Sequence, residues 1–135
     1  GKKGINIVKD FDYNIPETMA DPMQLQQVFL NLLLNAAEAM PDGGMVVAKT
    51  LYDPAVNSIT IEISDTGVGI DKGLKDRIFE PFFTTKHKGT GLGLAITKRL
   101  IEQQGGRITI SDNPVGGTIF SIGLSVQQCE EIKTV

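Results

Sequence analysis

The sequence predicts an α/β fold of the α+β kind: one mixed sheet of about five strands, with two long amphipathic helices over one face. Three observations carry this. Apolar residues recur at helical spacing over residues 22–40 and again over 91–104. Ile59, Ile61 and Ile63 alternate with Thr60 and Glu62, the two-residue period of a strand with unlike faces. The patterns run strand, helix, two strands, short helix, irregular loop, helix, two strands, an order that suits one mixed sheet.

Each element has its own signal. Residues 5–13 hold Ile5, Ile7, Val8 and Phe11 in a short strand-like run that Pro16 ends. Asp21-Pro22 then marks a helix start, the acid as N-cap and the proline at the first helical position. In the helix over 22–40, Leu25, Val28, Phe29, Leu32, Leu33, Ala36 and Met40 share the core face. Pro41-Asp42-Gly43-Gly44 is a turn. Residues 45–52 and 57–64 read as a hairpin whose loop contains Pro54. Asp71 is placed to cap a short helix reaching Phe79. The second long helix, 91–104, turns Leu92, Ala95, Ile96, Leu100 and Ile101 inward, and Gly105 or Gly106 closes it. Residues 107–111 and 118–126 finish as strands around an Asn113-Pro114 turn and Gly116-Gly117. Residues 127–135 read as a polar tail.

The totals bound the function. A chain of 135 residues, 41% hydrophobic and 21% charged, is one globular domain over 1–135, long enough to bury a core. Its net charge of −3 lacks the basic footprint of a nucleic-acid binder. No apolar run approaches a membrane span and no signal peptide is evident. A single cysteine, Cys129, forms no internal disulfide and fits a reducing compartment. The opening Gly-Lys-Lys-Gly reads as a cut inside a longer protein.

The chemistry concentrates in two glycine runs and one helix face. Gly89-Thr90-Gly91-Leu92-Gly93-Leu94 opens a helix, where unpaired backbone N–H groups and the helix dipole favour an anion. Its glycines remove Cβ atoms that would hold a phosphate away; the alternative is a flexible loop. The spacing matches neither the Walker pattern nor the dinucleotide fingerprint. Asp65-Thr66-Gly67-Val68-Gly69-Ile70 leaves a strand end. A carboxylate there can accept from an exocyclic amino group such as that of adenine, with Gly67 and Gly69 admitting a flat ring. The alternative is an Asx-turn, Asp65 bonding its own backbone. On the first long helix Gln27, Asn31, Asn35 and Glu38 lie near one line. Asparagine is a mediocre helix former, so this face is either a pair of surface amides or a polar floor for a ligand or metal ion. Between the glycine runs, residues 80–88 have the composition of a mobile lid. Lys86 and Lys88 can screen phosphate charge or simply be solvated, and His87 has no adjoining carboxylate to make it an acid–base group.

Together these segments resemble the catalytic, ATP-binding domain of bacterial sensor histidine kinases, in the gyrase, Hsp90, histidine kinase and MutL superfamily. The N box stands as Gln27-Val28-Phe29-Leu30-Asn31-Leu32-Leu33-Leu34-Asn35-Ala36, and the first glycine box as Asp65 to Ile70. The F box is Phe79-Glu80-Pro81-Phe82-Phe83, and the second glycine box Gly89 to Leu94. Gly117-Thr118-Ile119-Phe120 matches the closing strand. The resemblance implies a two-layer sandwich, the Bergerat ATP-binding fold, with ATP between the helices and a lid over 79–88. It implies that Asn35 coordinates Mg²⁺, with Asn31 beside it towards the phosphates, the two amides serving catalysis. Asp65 would bind the adenine amino group, aided through water by Thr118. Gly67, Gly69, Ile70 and Phe79 would shape the pocket, and Lys86, Lys88, Gly89, Thr90, Gly91, Leu92, Gly93 and Leu94 would surround the phosphates.

It further implies an ATP-dependent protein histidine kinase that acts in two-component signalling in the cytoplasm, binding ATP and releasing ADP. Its partners would be the dimerisation and phosphoacceptor domain of the same kinase and, indirectly, a response regulator, with no nucleic acid or membrane contact. That helical domain and its histidine are absent from this chain, which is expected to be monomeric. Two departures bear on mechanism. ATPase branches carry a glutamate where Asn31 stands; asparagine is no general base, so efficient hydrolysis is not expected. Many histidine kinases carry a basic residue where Glu38 stands. The rival readings are a serine kinase of the anti-sigma-factor type and a non-catalytic nucleotide-sensing module.

Overall fold

The computed structural model describes residues 4–11, 22–75, 77–80 and 93–126. In chain order the elements are β1 (Ile5–Asp10), α1 (Pro22–Glu38), β2 (Gly44–Asp53), β3 (Ser58–Asp65), a 3₁₀ turn (Lys72–Leu74), α2 (Gly93–Gln103), β4 (Arg107–Asp112) and β5 (Thr118–Ser125). The strands form one five-stranded sheet in the order β1-β2-β3-β5-β4. β1 pairs with β2 in parallel, and the other neighbours are antiparallel. The sheet is therefore mixed, as the sequence predicts.

The period of β3 decides where the core lies. Ile59, Ile61, Ile63 and Asp65 are buried, while the residues between them are half-buried. Registration carries this row across the sheet: Ile63 faces Phe120, Ile61 faces Ile122, and Ile59 faces Leu124. On the next strand Ile108 pairs with Ile122 and Ile110 with Phe120. Val28, Leu32 and Ala36 of α1 and Ile101 of α2 join those residues in one core, so both helices cover the same sheet face. Leu25, Phe29 and Leu33 pack against its edge, which agrees with the apolar stripe read from residues 22–40. The opposite side of α1 leaves Met23, Leu30 and Leu34 exposed. Among the described residues no helix is long and apolar enough to cross a membrane.

The ends of the elements follow local chemistry. α2 closes with Gly105 at φ +76° and the Gly106 N–H donating to the Ile101 carbonyl at 3.0 Å, the Schellman arrangement. A Cβ at Gly106 would fall 2.6 Å from Leu124 Cδ2, so the chain passes tightly over β5 here. Asn57 takes φ +52° in the β2–β3 loop and accepts the Tyr52 hydroxyl at 3.0 Å. Asparagine tolerates that conformation because its short amide bonds locally.

Several expectations need correction. β1 ends at Asp10 and every residue in it is exposed; it lies at one edge of the sheet, paired with β2. Residues 12–21, with Tyr13, Pro16 and the Asp21 cap, lie outside the described residues, as do 127–135. α1 ends at Glu38, two residues before Met40, although Met40 keeps its place in the core. Asp71 precedes a 3₁₀ turn of 3 residues, not a helix to Phe79, and its side chain makes no capping bond. That turn is instead tied to the end of β4 by Lys75 and Asp112, 2.7 Å apart. In α2, Ile96 is 43% exposed and Thr97 takes the fully buried position. The apolar run around them fits a helical stripe centred on either residue, and contact with α1 selects Thr97.

The two faces of α1 differ enough to be read by mutation. Leu32→Ala, at a fully buried site, is expected to cost about 2–5 kcal/mol in urea unfolding. Leu34→Ala, two residues on and half exposed, is expected to stay within about 0.5 kcal/mol.

Candidate functional site

Asp65 is the acid in the buried row of β3 isoleucines, with only 2% of its surface exposed. A carboxylate so placed is costly unless bonded. Its Oδ1 accepts the Gly67 N–H at 2.9 Å and the Thr118 N–H at 3.4 Å. The first bond is the Asx-turn that the sequence leaves open; the second crosses to β5. Its backbone carbonyl accepts Asn113 Nδ2 at 2.8 Å. Thr118 is buried beside it, at the start of β5.

The loop after Asp65 is fixed on two sides. Thr66 Oγ1 accepts the Met45 N–H at 3.1 Å. The Val68 N–H donates to the Ala39 carbonyl at 3.2 Å, just beyond α1. A Cβ at Gly67 would fall 2.9 Å from the Ala39 Cβ and closer still to its carbonyl oxygen. Gly67 is therefore glycine because it packs on the end of α1. Gly69 sits at φ +75° with the Gly117 carbonyl 3.5 Å from where its Cβ would be. Ile70 packs at the edge of the core. A cavity of about 470 Å³ opens between residues 68–71 and the β4–β5 turn. It shares Gly69 and Ile70 with the expected site, but its lining includes Asp71 and Asp112, which suit no phosphate.

The polar face of α1 makes a second set of contacts. Asn31 Oδ1 accepts Gln27 Nε2 at 3.0 Å. Asn31 Nδ2 donates to the Gly93 carbonyl at 3.4 Å and to Thr97 Oγ1 at 3.3 Å. The Thr97 hydroxyl donates to the same Gly93 carbonyl at 2.8 Å. Asn35, half-buried, stands one turn further along, before Ala39. α1 thus touches the start of α2 through Asn31 and the Asp65 loop through Ala39, about 12 Å apart along the helix axis at 1.5 Å per residue. Glu38 is exposed at the helix end.

Phe79 meets Phe120 edge to face, with centroids 6.3 Å apart at 78°, and Lys98 Nζ lies 5.7 Å from its ring centre. Gly93 begins α2 exposed, and among the described residues a Cβ there would meet nothing within 4 Å. Leu94 packs against the core. Of the remaining expected site residues, Lys86, Lys88, Gly89, Thr90, Gly91 and Leu92 lie outside the described residues, as do His87 and Pro81-Phe82-Phe83. The structure brings Asp65, Gly67, Gly69 and Thr118 together at one end of α1, and Asn31 and Gly93 together further back. Sequence reasoning named Asn113 and Gly117 only in the turn and closing-strand motif, without a part in the site, and did not single out Thr97. Gly117 had a usable signal, the Gly-Gly pair at a turn. Thr97 had none beyond being a polar residue in an apolar run.

Gly117 is constrained twice. Its φ is +106°, and a Cβ would fall 2.8 Å from Asp65 Oδ1 and closer still to the Asp65 carbonyl oxygen. Gly116 has φ +104° and open space around it. Gly116→Ala is therefore expected to cost about 1–2 kcal/mol of backbone strain in thermal or urea unfolding. Gly117→Ala should cost more, the difference measuring the contact with Asp65.

Comparison with known proteins bears on the family and the fold. The family model for histidine kinase-, DNA gyrase B-, and HSP90-like ATPases matches residues 20–128. The chain is 41% identical to sporulation kinase E of Bacillus subtilis (strain 168) over 118 residues, covering 87% of this chain but 16% of that protein. It is similar to the nucleotide-free catalytic domain of histidine kinase ThkA, with a TM-score of 0.79, 31% identity and coverage of 92% of this chain and 82% of that one. It is also similar to full-length ShkA in complex with AMPPNP, with a TM-score of 0.81, 29% identity and coverage of 93% of this chain and 26% of that one. The chain thus spans a small part of such full-length kinases. With the mixed sheet, the buried Asp65 and the asparagine face of α1 in place, this chain belongs to the family of histidine kinase-, DNA gyrase B- and HSP90-like ATPases.

Proposed function

We propose that this chain is the ATP-binding catalytic domain of a sensor histidine kinase, which binds Mg-ATP and presents its γ-phosphate to a histidine on a separate dimerisation and phosphoacceptor domain. The observation that carries this is the position of α1. One helix touches the Asp65 loop at Ala39 and the start of α2 at Asn31, with Asn35 between. A ligand laid along that face would meet a carboxylate at one end and the start of a helix at the other. Those are the groups that suit an amino-bearing base and a phosphate chain.

The residues present fit such a ligand. Asp65 is held by two backbone N–H groups, so its carboxylate is set in one orientation to accept from an adenine amino group, with Thr118 beside it. Among the described residues nothing would crowd a group set against Gly93, and a glycine there lets a phosphate approach backbone. Among the described residues no group of three or more His, Cys, Asp or Glu side chains could hold a metal ion. A protein-only cation cage is thus not what those residues offer. Mg²⁺ commonly binds through one or two protein oxygens together with phosphate oxygens and water, and Asn35 can supply such an amide oxygen. When bound, the ion neutralises charge on the phosphates.

The protein's own contribution to phosphoryl transfer is positioning and electrostatics. Asp65 and Thr118 fix the base, α1 holds the amides along the phosphate path, and the start of α2 offers backbone N–H groups. Gly89, Thr90, Gly91, Leu92, Lys86 and Lys88 would complete the phosphate site, and Phe79 would bound the pocket. Asn31 is engaged with Gly93, Thr97 and Gln27 and carries no carboxylate, so water is not activated there and transfer to the phosphoacceptor is favoured over hydrolysis. Use of ATP as donor places the domain in the cytoplasm, with a response regulator receiving the phosphoryl group afterwards.

Calorimetric titration with ATP, with and without Mg²⁺, tests this directly. Asp65→Asn is expected to weaken ATP binding by roughly tenfold or more, since it replaces an acceptor by a donor at a buried site. Asn35→Ala should bind ATP with little remaining Mg²⁺ dependence. An unaltered chain that binds no ATP under either condition would overturn the proposal. Transfer of phosphate from bound ATP to a supplied cognate helical domain is the expected activity.

A further inference from the structure

Thr97 is a buried hydroxyl at a position where helical spacing calls for a hydrophobe. It lies four residues before Ile101 on the core side of α2, and both are fully buried. Valine would fill the same volume, and burying the hydroxyl costs free energy unless it is bonded. Thr97 is bonded on both sides: it donates to the Gly93 carbonyl at 2.8 Å and accepts from Asn31 Nδ2 at 3.3 Å. Its single proton is committed to Gly93, so towards Asn31 it can only accept. The Gly93 carbonyl can also only accept. Asn31 must therefore turn its NH₂ towards α2 and its oxygen away, towards the exposed Gln27 amide.

Gly93 is the other half of the argument. It is the residue through which residues 81–92 join α2, and it is the type with the most backbone freedom to lose. Among the described residues, a side chain there would touch nothing within 4 Å. Its carbonyl, which begins the backbone ladder of α2, also takes two side-chain donors, Thr97 from its own helix and Asn31 from α1.

We propose that Thr97 is a positioning residue for the phosphate end of the nucleotide site: its hydroxyl sets the orientation of the Asn31 amide and pins the first residue of α2. The inference rests on the Mg-ATP reading above. It assigns Thr97 no contact with the nucleotide. Its effect falls on the phosphates and spares the base, because the Asp65 end of α1 is fixed by separate contacts at Ala39.

The test uses the 135-residue chain with Thr97→Val and Thr97→Ser, titrated by NMR with Mg-ATP and with adenosine. Thr97→Val is expected to raise the Kd for Mg-ATP roughly tenfold while moving that for adenosine by less than about twofold. Thr97→Ser, which keeps the hydroxyl, should stay near the unaltered chain. Equal weakening of both ligands would indicate a purely structural role and overturn the proposal, as would unchanged Mg-ATP binding in Thr97→Val. Failure of the unaltered chain to bind Mg-ATP would instead overturn the nucleotide reading itself. A measurement on the unaltered chain needs no variant: the Asn31 side-chain NH₂ should exchange with solvent more slowly than that of exposed Gln26, and equal exchange would overturn the restraint.

Discussion

A carboxylate at the end of a buried isoleucine row must be bonded or it destabilises the fold, and much of this molecule is arranged to bond Asp65. Gly67 turns back to donate to it, Thr118 donates from β5, and Asn113 holds its backbone carbonyl. Gly117 lets the β4–β5 connection pass directly against it. The same contacts that satisfy the acid join β3 to β5 and fix the loop that follows. The group that would recognise a base is thereby pre-set by the fold, so little ordering cost falls on binding.

α1 extends that constraint along the site. Its apolar stripe is anchored by Val28, Leu32 and Ala36 in the core, so its polar face cannot rotate without breaking the packing. That rigid helix carries two asparagines and touches the Asp65 loop at one point and the start of α2 at another. Contacts at both points are hydrogen bonds to backbone carbonyls, Ala39 with Val68 and Gly93 with Asn31. Such bonds are directional, which suits a site where charge must be placed at fixed positions. At the exposed start of α2, side chains of Asn31 and Thr97 add to the helix's own backbone bonds.

Core and sheet were largely legible because they depend on periodicity. Ile59, Ile61 and Ile63 announce their face by alternation, and the inward residues of α1 announce theirs by helical spacing. Asp65 drew notice as a candidate because it follows the strand of Ile59, Ile61 and Ile63 directly and leaves a carboxylate at the strand end; the structure shows that it also ends the buried row. The Asx-turn and the adenine-facing reading were offered as alternatives, yet the turn is present and uses one carboxylate oxygen without excluding the second reading. Less legible were residues whose role is a contact far away in sequence. Gly67 reads as room for a ligand, but the structure gives it to Ala39. Asn31 reads as a ligand-facing amide, and its nitrogen is committed to α2.

The sequence by itself determined the class of fold, the order of its elements, the core face of α1 and β3, and the family, because each is written in local spacing or in motifs of neighbouring residues. Only the tertiary structure decided which of Ile96 and Thr97 faces inward, why Gly117 must be glycine, and where the Asn31 amide points. A helical stripe in α2 can be centred on either residue, and the choice rests on contacts between elements: Ile101 in the core, and a hydrogen bond that Thr97 accepts from a side chain 66 positions earlier in the chain. Gly117 is fixed by Asp65 across the sheet, and no local pattern records that meeting. Periodicity reports which residues share a face; the partner that face will meet depends on how the elements assemble.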